Sequence, residues 1–338
     1  MQAYRVLAGR GQESLQRVDH QPPALGEHEV RVRVHAVALN YRDLMIARGM
    51  YPISTERPPI AIADGAGEVV AIGPGVERFR TGDRVARIYF SDWIDGAPTH
   101  RNTAAVPGAS VDGMLTEEAV VHEDHLVAVP AHLDYNEAAA LSCAGVTAWN
   151  ALFVEGRVQP GDTVLLLGTG GVSIWALQLA KAAGLRTIVT SSSDAKLARA
   201  RELGADETIN YRTTVEWQEE VVRLTAGRGV DLTVEIGGRD TLNRSIAATR
   251  MGGTVVLVGG VAGFTAQLDI VPLLVGHKRL IGIGVGSRSV FEALNRFVAQ
   301  AKIRPVIDRV FPFEQAGEAC AYLEKAGHFG KVVIRVGS

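Results

Sequence analysis

The stretch TVLLLGTGGVSIWALQLAKAAG, residues 163–184, decides the fold. An apolar run, TVLLLG (163–168), meets the turn Gly168-Thr169-Gly170-Gly171-Val172-Ser173 and passes directly into an amphipathic helix expected over 172–183. Glycines let the backbone turn sharply and approach a pyrophosphate, whose charge is favoured by the free N–H groups and positive dipole end of a helix N-terminus. Ser173 stands where the third glycine of the fingerprint would fall, so a structural turn without a ligand stays open beside the dinucleotide reading. The order strand, glycine turn, helix, strand favours the dinucleotide.

Downstream, TIVT (187–190), a helix over 195–203, DLTVEIG (231–237), VVLVGG (255–260) and LIGIGVG (280–286) continue the alternation. Strands alternating with helices of about a dozen residues imply right-handed βαβ units and a doubly wound parallel sheet. Upstream, EVRVRVHAVAL (29–39) alternates polar and apolar residues, and GAGEVVAIG (65–73) and GDRVARIYF (82–90) read as further short strands of a compact β-rich domain. From Pro305 the chain returns to short strands, RVFPF and KVVIRV, flanking one helix in EQAGEACAYLEKAG. The expected domains are therefore residues 1–125, 126–304 and a return to the first over 305–338. Residues 91–112 form a poorly patterned insert, read equally as a lid or as plain surface.

With 338 residues, 47% of them hydrophobic, the chain can bury a core in each of two domains. A formal net charge of -2 gives no overall attraction to nucleic acid or an anionic membrane, so neither partner is expected. The start MQAYRVLAGRGQESLQRV has no continuous apolar stretch, which argues against a signal peptide or anchor and makes the cytoplasm the expected location. Cys143 and Cys320, the only cysteines, exclude a disulfide framework and a four-cysteine zinc site.

An NAD site places an acidic residue about 20 residues beyond the glycine turn, where it holds the ribose 2′-hydroxyl. Here that position carries Ser191-Ser192-Ser193, with Lys196 a turn later. Hydroxyls and a cation suit a 2′-phosphate, so NADPH is expected over NADH. Asp194 is the inconvenient neighbour, and its place before AKLARARELG suits a helix N-cap. Gly259, in VVLVGG, is counted with the cofactor positions.

The chain resembles the medium-chain dehydrogenase/reductase superfamily, in particular its quinone-oxidoreductase-like and alcohol-dehydrogenase-like members. The resemblance rests on LNYRDLMIARGMYP (39–52), DGAGEVVAIGPGVERFRTGDRV (64–85), AALSCAGVTAWNAL (139–152), residues 168–184, LGADETINYR (203–212) and FGKVVIRV (329–336). It implies a GroES-like β domain joined to a Rossmann domain, with the active site in the cleft between them. In the zinc enzymes of the superfamily a Cys, a His in a Gly-His-Glu triplet and a second Cys or Asp hold the metal. Asn40, Ala63 and Cys143 match those positions, with Asp64 at the Glu, so two of three ligands are missing and no zinc is expected.

The resemblance also places Lys196 and Tyr211 at the adenosine 2′-phosphate and Thr147 beneath the nicotinamide. A solvated helix residue, a strand-end packing residue and a helix cap, respectively, remain open readings of the three. For an acceptor oxygen, Tyr51, Asn40 and Thr147 are the candidate donors, with Tyr51 the best because a phenol donates a hydrogen bond or a proton. Asn40 satisfying local backbone and Tyr51 packing at a turn stand beside that reading. Asp64 reads as a buried carboxylate satisfied by turn N–H groups, and Cys143 as a small buried residue. The expected activity is NADPH-dependent reduction of a quinone, enone or related carbonyl. The alternatives are alcohol or aldehyde oxidoreduction and a cofactor-binding protein with little turnover. A homodimer is expected, paired through LIGIGVG (280–286).

Overall fold

The computed structural model describes residues 1–54 and 57–337, which divide into two compact units, 1–146 with 286–338 and 147–285. The first unit opens with an antiparallel ribbon, β1 (Gln2–Val6) with β2 (Leu15–Asp19). Its main sheet contains β3 (Glu29–Ala38), β4 (Asp64–Ile72), β5 (Arg84–Arg87), β6 (Glu118–His122) and β7 (Leu126–Ala128). Alternation makes β3 a two-sided strand: Val30, Val32 and Val34 are buried while Arg33 between them is exposed. Helix α1 (Tyr41–Ala47) follows β3, and its first turn is closed by the Asp43 carboxylate accepting from the Asn40 N–H at 2.8 Å. Helix α2 (Tyr135–Ala139) leads into two π-helical turns, Leu141–Gly145 and Asn150–Val154, on either side of α3 (Val146–Trp149).

The second unit is an all-parallel sheet with α/β crossovers. Its elements in chain order are β8 (Thr163–Leu167), α4 (Gly171–Ala182), β9 (Arg186–Ser191), α5 (Asp194–Glu202), β10 (Glu207–Asn210), α6 (Trp217–Leu224) and β11 (Val230–Glu235), then α7 (Leu242–Ala248), β12 (Thr249–Leu257), α8 (Val271–Val275) and β13 (Arg279–Gly282). Every residue of β8 and β11 is buried, as expected of strands covered on both faces. The order β10-β9-β8-β11-β12-β13 reverses direction between β8 and β11, which is the doubly wound arrangement read from the sequence. LIGIGVG is shorter as a strand than its composition suggests: pairing with β12 ends at Gly282, and Val285 takes a left-handed φ of 48°.

The chain then returns to the first unit through α9 (Arg288–Ala301), β14 (Ile307–Pro312), α10 (Ala316–Glu324) and β15 (Lys331–Arg335). β15 pairs antiparallel with β3, with Val333 opposite Ala38, and the Leu39 N–H donates to the Val332 carbonyl at 3.0 Å. That register sets Lys331 against the start of α1. In the 91–112 insert, Trp93 and residues 106–109 are buried, and only the middle, 95–101, is exposed throughout. The Pro107 carbonyl accepts from Arg42 Nη2 at 2.7 Å, so the insert is anchored in the unit and is not plain surface. Among the described residues no helix is long and apolar enough to cross a membrane.

Candidate active site

The carboxyl ends of the parallel strands gather the residues expected at a dinucleotide. Gly168 ends β8 with φ 74°, a conformation that favours glycine, and its N–H donates to Thr190 Oγ1 at 3.4 Å. At Gly170, just before α4, an added Cβ would meet nothing within 4 Å, so open space lies at the helix N-terminus beside Gly171 and Val172. Ser173, in contrast, is 1% exposed and donates from Oγ to the Leu167 carbonyl at 2.6 Å. Its hydroxyl ties α4 to β8 and is not offered to a ligand.

Ser191 ends β9 in a buried position, and its carbonyl accepts from the Tyr211 N–H at 3.1 Å, which brings the ends of β9 and β10 together. Ser192 and Lys196 are half-buried there, and the Tyr211 side chain is exposed. The cap of α5 is Ser193, whose Oγ accepts from the Lys196 N–H, and not Asp194 as expected from the sequence. Asp194 is the first helical residue and its Oδ1 accepts from Asn210 Nδ2 at 2.8 Å. Both residue types cap well, and the amide across β10 determines which of them does.

Sequence reasoning missed Glu235, a fully buried carboxylate at the end of β11. Its Oε1 accepts from the N–H groups of Gly237 and Gly238 at 2.6 and 2.9 Å and from Thr241 Oγ1 at 2.6 Å, and its Oε2 accepts from the Ser245 hydroxyl. It shapes the turn after β11, next to Gly259, where an added Cβ would approach the Ile236 carbonyl to 3.2 Å. The signal was present: an acid at the end of the strand DLTVE, one residue before two glycines.

In the first unit a chain of contacts links the candidates for the acceptor side. The Arg42 guanidinium lies 5.4 Å from the Tyr51 ring centre and 5.2 Å from that of Tyr89. Arg42 Nε is 3.6 Å from Asp43, whose carboxylate holds the Asn40 N–H. The Asn40 Oδ1 accepts from Lys331 Nζ at 2.6 Å, and that ammonium also donates to the Leu39 carbonyl at 2.6 Å and lies 3.7 Å from Asp64 Oδ2. Asp64 Oδ2 accepts from the Cys143 N–H at 3.3 Å, while its Oδ1 is buried without a partner. Turn N–H groups therefore do not satisfy Asp64 as the sequence suggested; the Cys143 amide, the Asn40 side chain and the nearby Lys331 ammonium surround it.

Burial raises the pKa of Asp64 and of Asp43, with Lys331 pulling against the shift in Asp64 and Arg42 in Asp43. Desolvation and the neighbouring Asp64 carboxyl push the Cys143 thiol up to about 12, so it is protonated near neutrality. Thr147 is 3% exposed and belongs to the second unit, apart from this chain of contacts. Ala63 is 1% exposed and offers no donor atom. Among the described residues no three His, Cys, Asp or Glu side chains are placed to hold a metal.

A doubly wound sheet with an open glycine turn at its switch point, and a β-rich unit carrying a buried polar cluster, define a two-unit oxidoreductase of the dinucleotide-binding class. Residues 26–131 match the alcohol dehydrogenase GroES-like domain family, and residues 171–300 match the zinc-binding dehydrogenase family. A zinc-type alcohol dehydrogenase-like protein of Schizosaccharomyces pombe is 42% identical over 321 residues, 93% of each chain. Among solved structures, a putative alcohol dehydrogenase from Sinorhizobium meliloti superposes with a TM-score of 0.92 at 40% identity, covering 99% of this chain and 98% of that one. A structure titled NAD-dependent alcohol dehydrogenase gives a TM-score of 0.90 at 36% identity over the whole of both chains. A 2-octenoyl-CoA carboxylase reductase in complex with NADP and 2-octenoyl-CoA gives 0.87 at 26% identity, covering 99% of this chain and 87% of that one. The chain belongs to the medium-chain dehydrogenase/reductase superfamily of oxidoreductases.

Proposed function

We propose that this enzyme uses NADPH to reduce an enone, quinone or related carbonyl, and does so without zinc. The observation that carries the reading is the Lys331 ammonium held between Asn40 and Asp64. A zinc ion needs thiolate, imidazole or carboxylate donors in tetrahedral array. Here the first matching position is an amide already accepting from Lys331, the second is an alanine, and the third is a thiol with its pKa raised to about 12. That set does not fit the metal, and no step passes through one.

The second unit fits a nicotinamide dinucleotide. The turn Gly168 to Val172 would hold the pyrophosphate against the start of α4, and Ser191, Ser192, Lys196 and Tyr211 would surround a 2′-phosphate. The relative solved with NADP supports this choice, the relative titled NAD-dependent supports the other, and the hydroxyls and Lys196 at the end of β9 favour NADPH. When bound, the nicotinamide supplies the hydride; the protein's part is to orient the acceptor and stabilise the charge that develops on its oxygen. Tyr51 and Asn40 of the first unit are the donors proposed for that task.

The test is steady-state NADPH oxidation across enones, quinones, aldehydes and alcohols, before and after chelation, with zinc measured by elemental analysis. Turnover of enones or quinones that survives chelation is expected. One tightly bound zinc per chain, lost together with activity, would overturn the reading. Lys196→Ala is expected to weaken NADPH by about 1.5–3 kcal/mol, the scale of a charge-assisted hydrogen bond, while leaving NADH almost unchanged. Because that contact lies near the surface, the difference should shrink with added salt. Equal weakening of both cofactors would remove Lys196 from the 2′-phosphate site.

A further inference from the structure

Asp194 stands just beyond Ser191, in the region where an NAD site keeps the carboxylate that accepts from the ribose 2′-hydroxyl. The same charge repels a 2′-phosphate, so the direction in which this carboxylate is held bears on the choice of cofactor. Asn210 sets that direction. It is the last residue of β10, lies opposite Ser191 in the parallel pairing with β9, and donates from Nδ2 to Asp194 Oδ1 at 2.8 Å. The amide cannot turn over without loss, because its Oδ1 accepts from the Arg212 N–H at 3.0 Å and only the nitrogen end suits a carboxylate. The backbone beneath it is fixed as well: the Asn210 carbonyl accepts from the N–H groups of Thr213 and Thr214 at 3.2 and 2.8 Å and from Thr213 Oγ1 at 3.1 Å. At the other end Ser193 caps α5, which leaves the Asp194 carboxylate to be drawn across to β10.

We propose that Asn210 is a positioning residue for cofactor choice: its amide holds the Asp194 carboxylate on the β10 side, so that the ribose of NADH is denied its acceptor and the 2′-phosphate of NADPH is spared a facing charge. This rests on the reading of the ends of β9 and β10 as the adenosine end of an NADPH site. Every residue in the argument belongs to the second unit. A carboxylate that accepts a hydrogen bond from a fixed amide keeps its charge, but one of its oxygens is engaged and its direction is set. Released, it is free to accept from a 2′-hydroxyl and to oppose a 2′-phosphate. Between exposed groups both effects are softened by water, which sets the expected change in preference at about tenfold.

The principal variant is Asn210→Ser, whose hydroxyl still accepts from the Arg212 N–H to keep the turn but which has no amide to offer Asp194. Dissociation constants of NADPH, NADH, 2′,5′-ADP and ADP are measured by titration calorimetry on the full chain in wild type, Asn210→Ser, Asp194→Asn and the double variant. The two half-cofactors report the adenosine end alone. Asn210→Ser is expected to shift the preference between NADPH and NADH about tenfold toward NADH, with 2′,5′-ADP against ADP moving in parallel. Asp194→Asn is expected to leave NADH and ADP nearly unchanged, since the carboxylate is not in use there, and in its presence Asn210→Ser should shift the preference no further. A shift that persists in the double variant would mean that Asn210 acts through the turn carrying Tyr211, which overturns the proposal, as does an unshifted preference in Asn210→Ser. Should Asn210→Ser fail to fold, Asp194→Asn decides: weakened NADH shows a carboxylate already serving the ribose and overturns the holding role, and unchanged NADH supports it. If the wild type binds NADPH no better than NADH, the parent reading fails on its own, and the shift in Asn210→Ser with its loss in the double variant still decides whether the amide holds Asp194.

Discussion

Glu235→Ala is expected to destabilise the second unit by about 3–5 kcal/mol and to weaken the dinucleotide in the same protein. The carboxylate takes hydrogen bonds from two backbone N–H groups and the Thr241 hydroxyl in the turn that follows β11 and from the Ser245 hydroxyl of α7. Alanine leaves those donors without their acceptor around a fully buried position. A simple sum over four bonds to a charged acceptor would overshoot, since the turn can relax and Thr241 retains a weak contact to the Gly238 carbonyl at 3.5 Å. Glu235→Gln preserves the Oε1 acceptor and the volume, and Ser245 can rotate to accept from the new amide, so its cost should be nearer 1 kcal/mol. The cofactor effect follows from the strand order: the turn after β11 lies across the switch point from Gly168, where an added Cβ would come within 3.4 Å of Ile236 Cδ1. Urea unfolding and NADPH titration of both variants check this. An alanine variant as stable as the glutamine variant would show that the turn holds itself.

The parts of this protein that were legible in its sequence are those governed by near neighbours. The run 163–168 and the helix after it were read to within a residue of the observed β8 and α4, because a fully apolar strand cut off by Gly168 leaves little else for the chain to do. The choice between Ser193 and Asp194 as a cap was not legible, since it depends on Asn210 across a strand pairing. LIGIGVG was read too long because composition does not show where pairing with β12 stops. The candidate site divides the same way. Gly168, Gly170 and Ser191 stand at strand ends that the alternating pattern locates, whereas Lys331 meets Asn40 across 291 positions of chain through the register of β15 on β3. Residue 331 reads locally as one more strand residue in KVVIRV, and only the fold gives it a partner. Ser173 is the converse case: it stood out in the sequence as the departure from the glycine fingerprint, and only the fold shows its hydroxyl committed to the Leu167 carbonyl.

Tyr51→Phe is expected to lower kcat by about ten- to a hundredfold, or roughly 1.4–2.7 kcal/mol of transition-state stabilisation, with little change in NADPH affinity. Among the described residues the Tyr51 hydroxyl has no hydrogen-bond partner, while its ring is set by the Arg42 guanidinium, itself anchored to the Pro107 carbonyl and beside Asp43. Phenylalanine keeps that ring contact and removes only the oxygen, so folding should be nearly unaffected. A hydroxyl that donates mainly as charge builds on the acceptor changes rate more than binding, and a carbonyl oxygen has room for this donor and the Asn40 amide together. The measurement is kcat with NADPH carrying deuterium at the transferred position, under conditions where the isotope effect shows hydride transfer to limit the rate. The drop should be larger for aldehydes, which need electrophilic help, than for quinones, which accept hydride readily. An unchanged kcat under those conditions would take Tyr51 out of the chemistry.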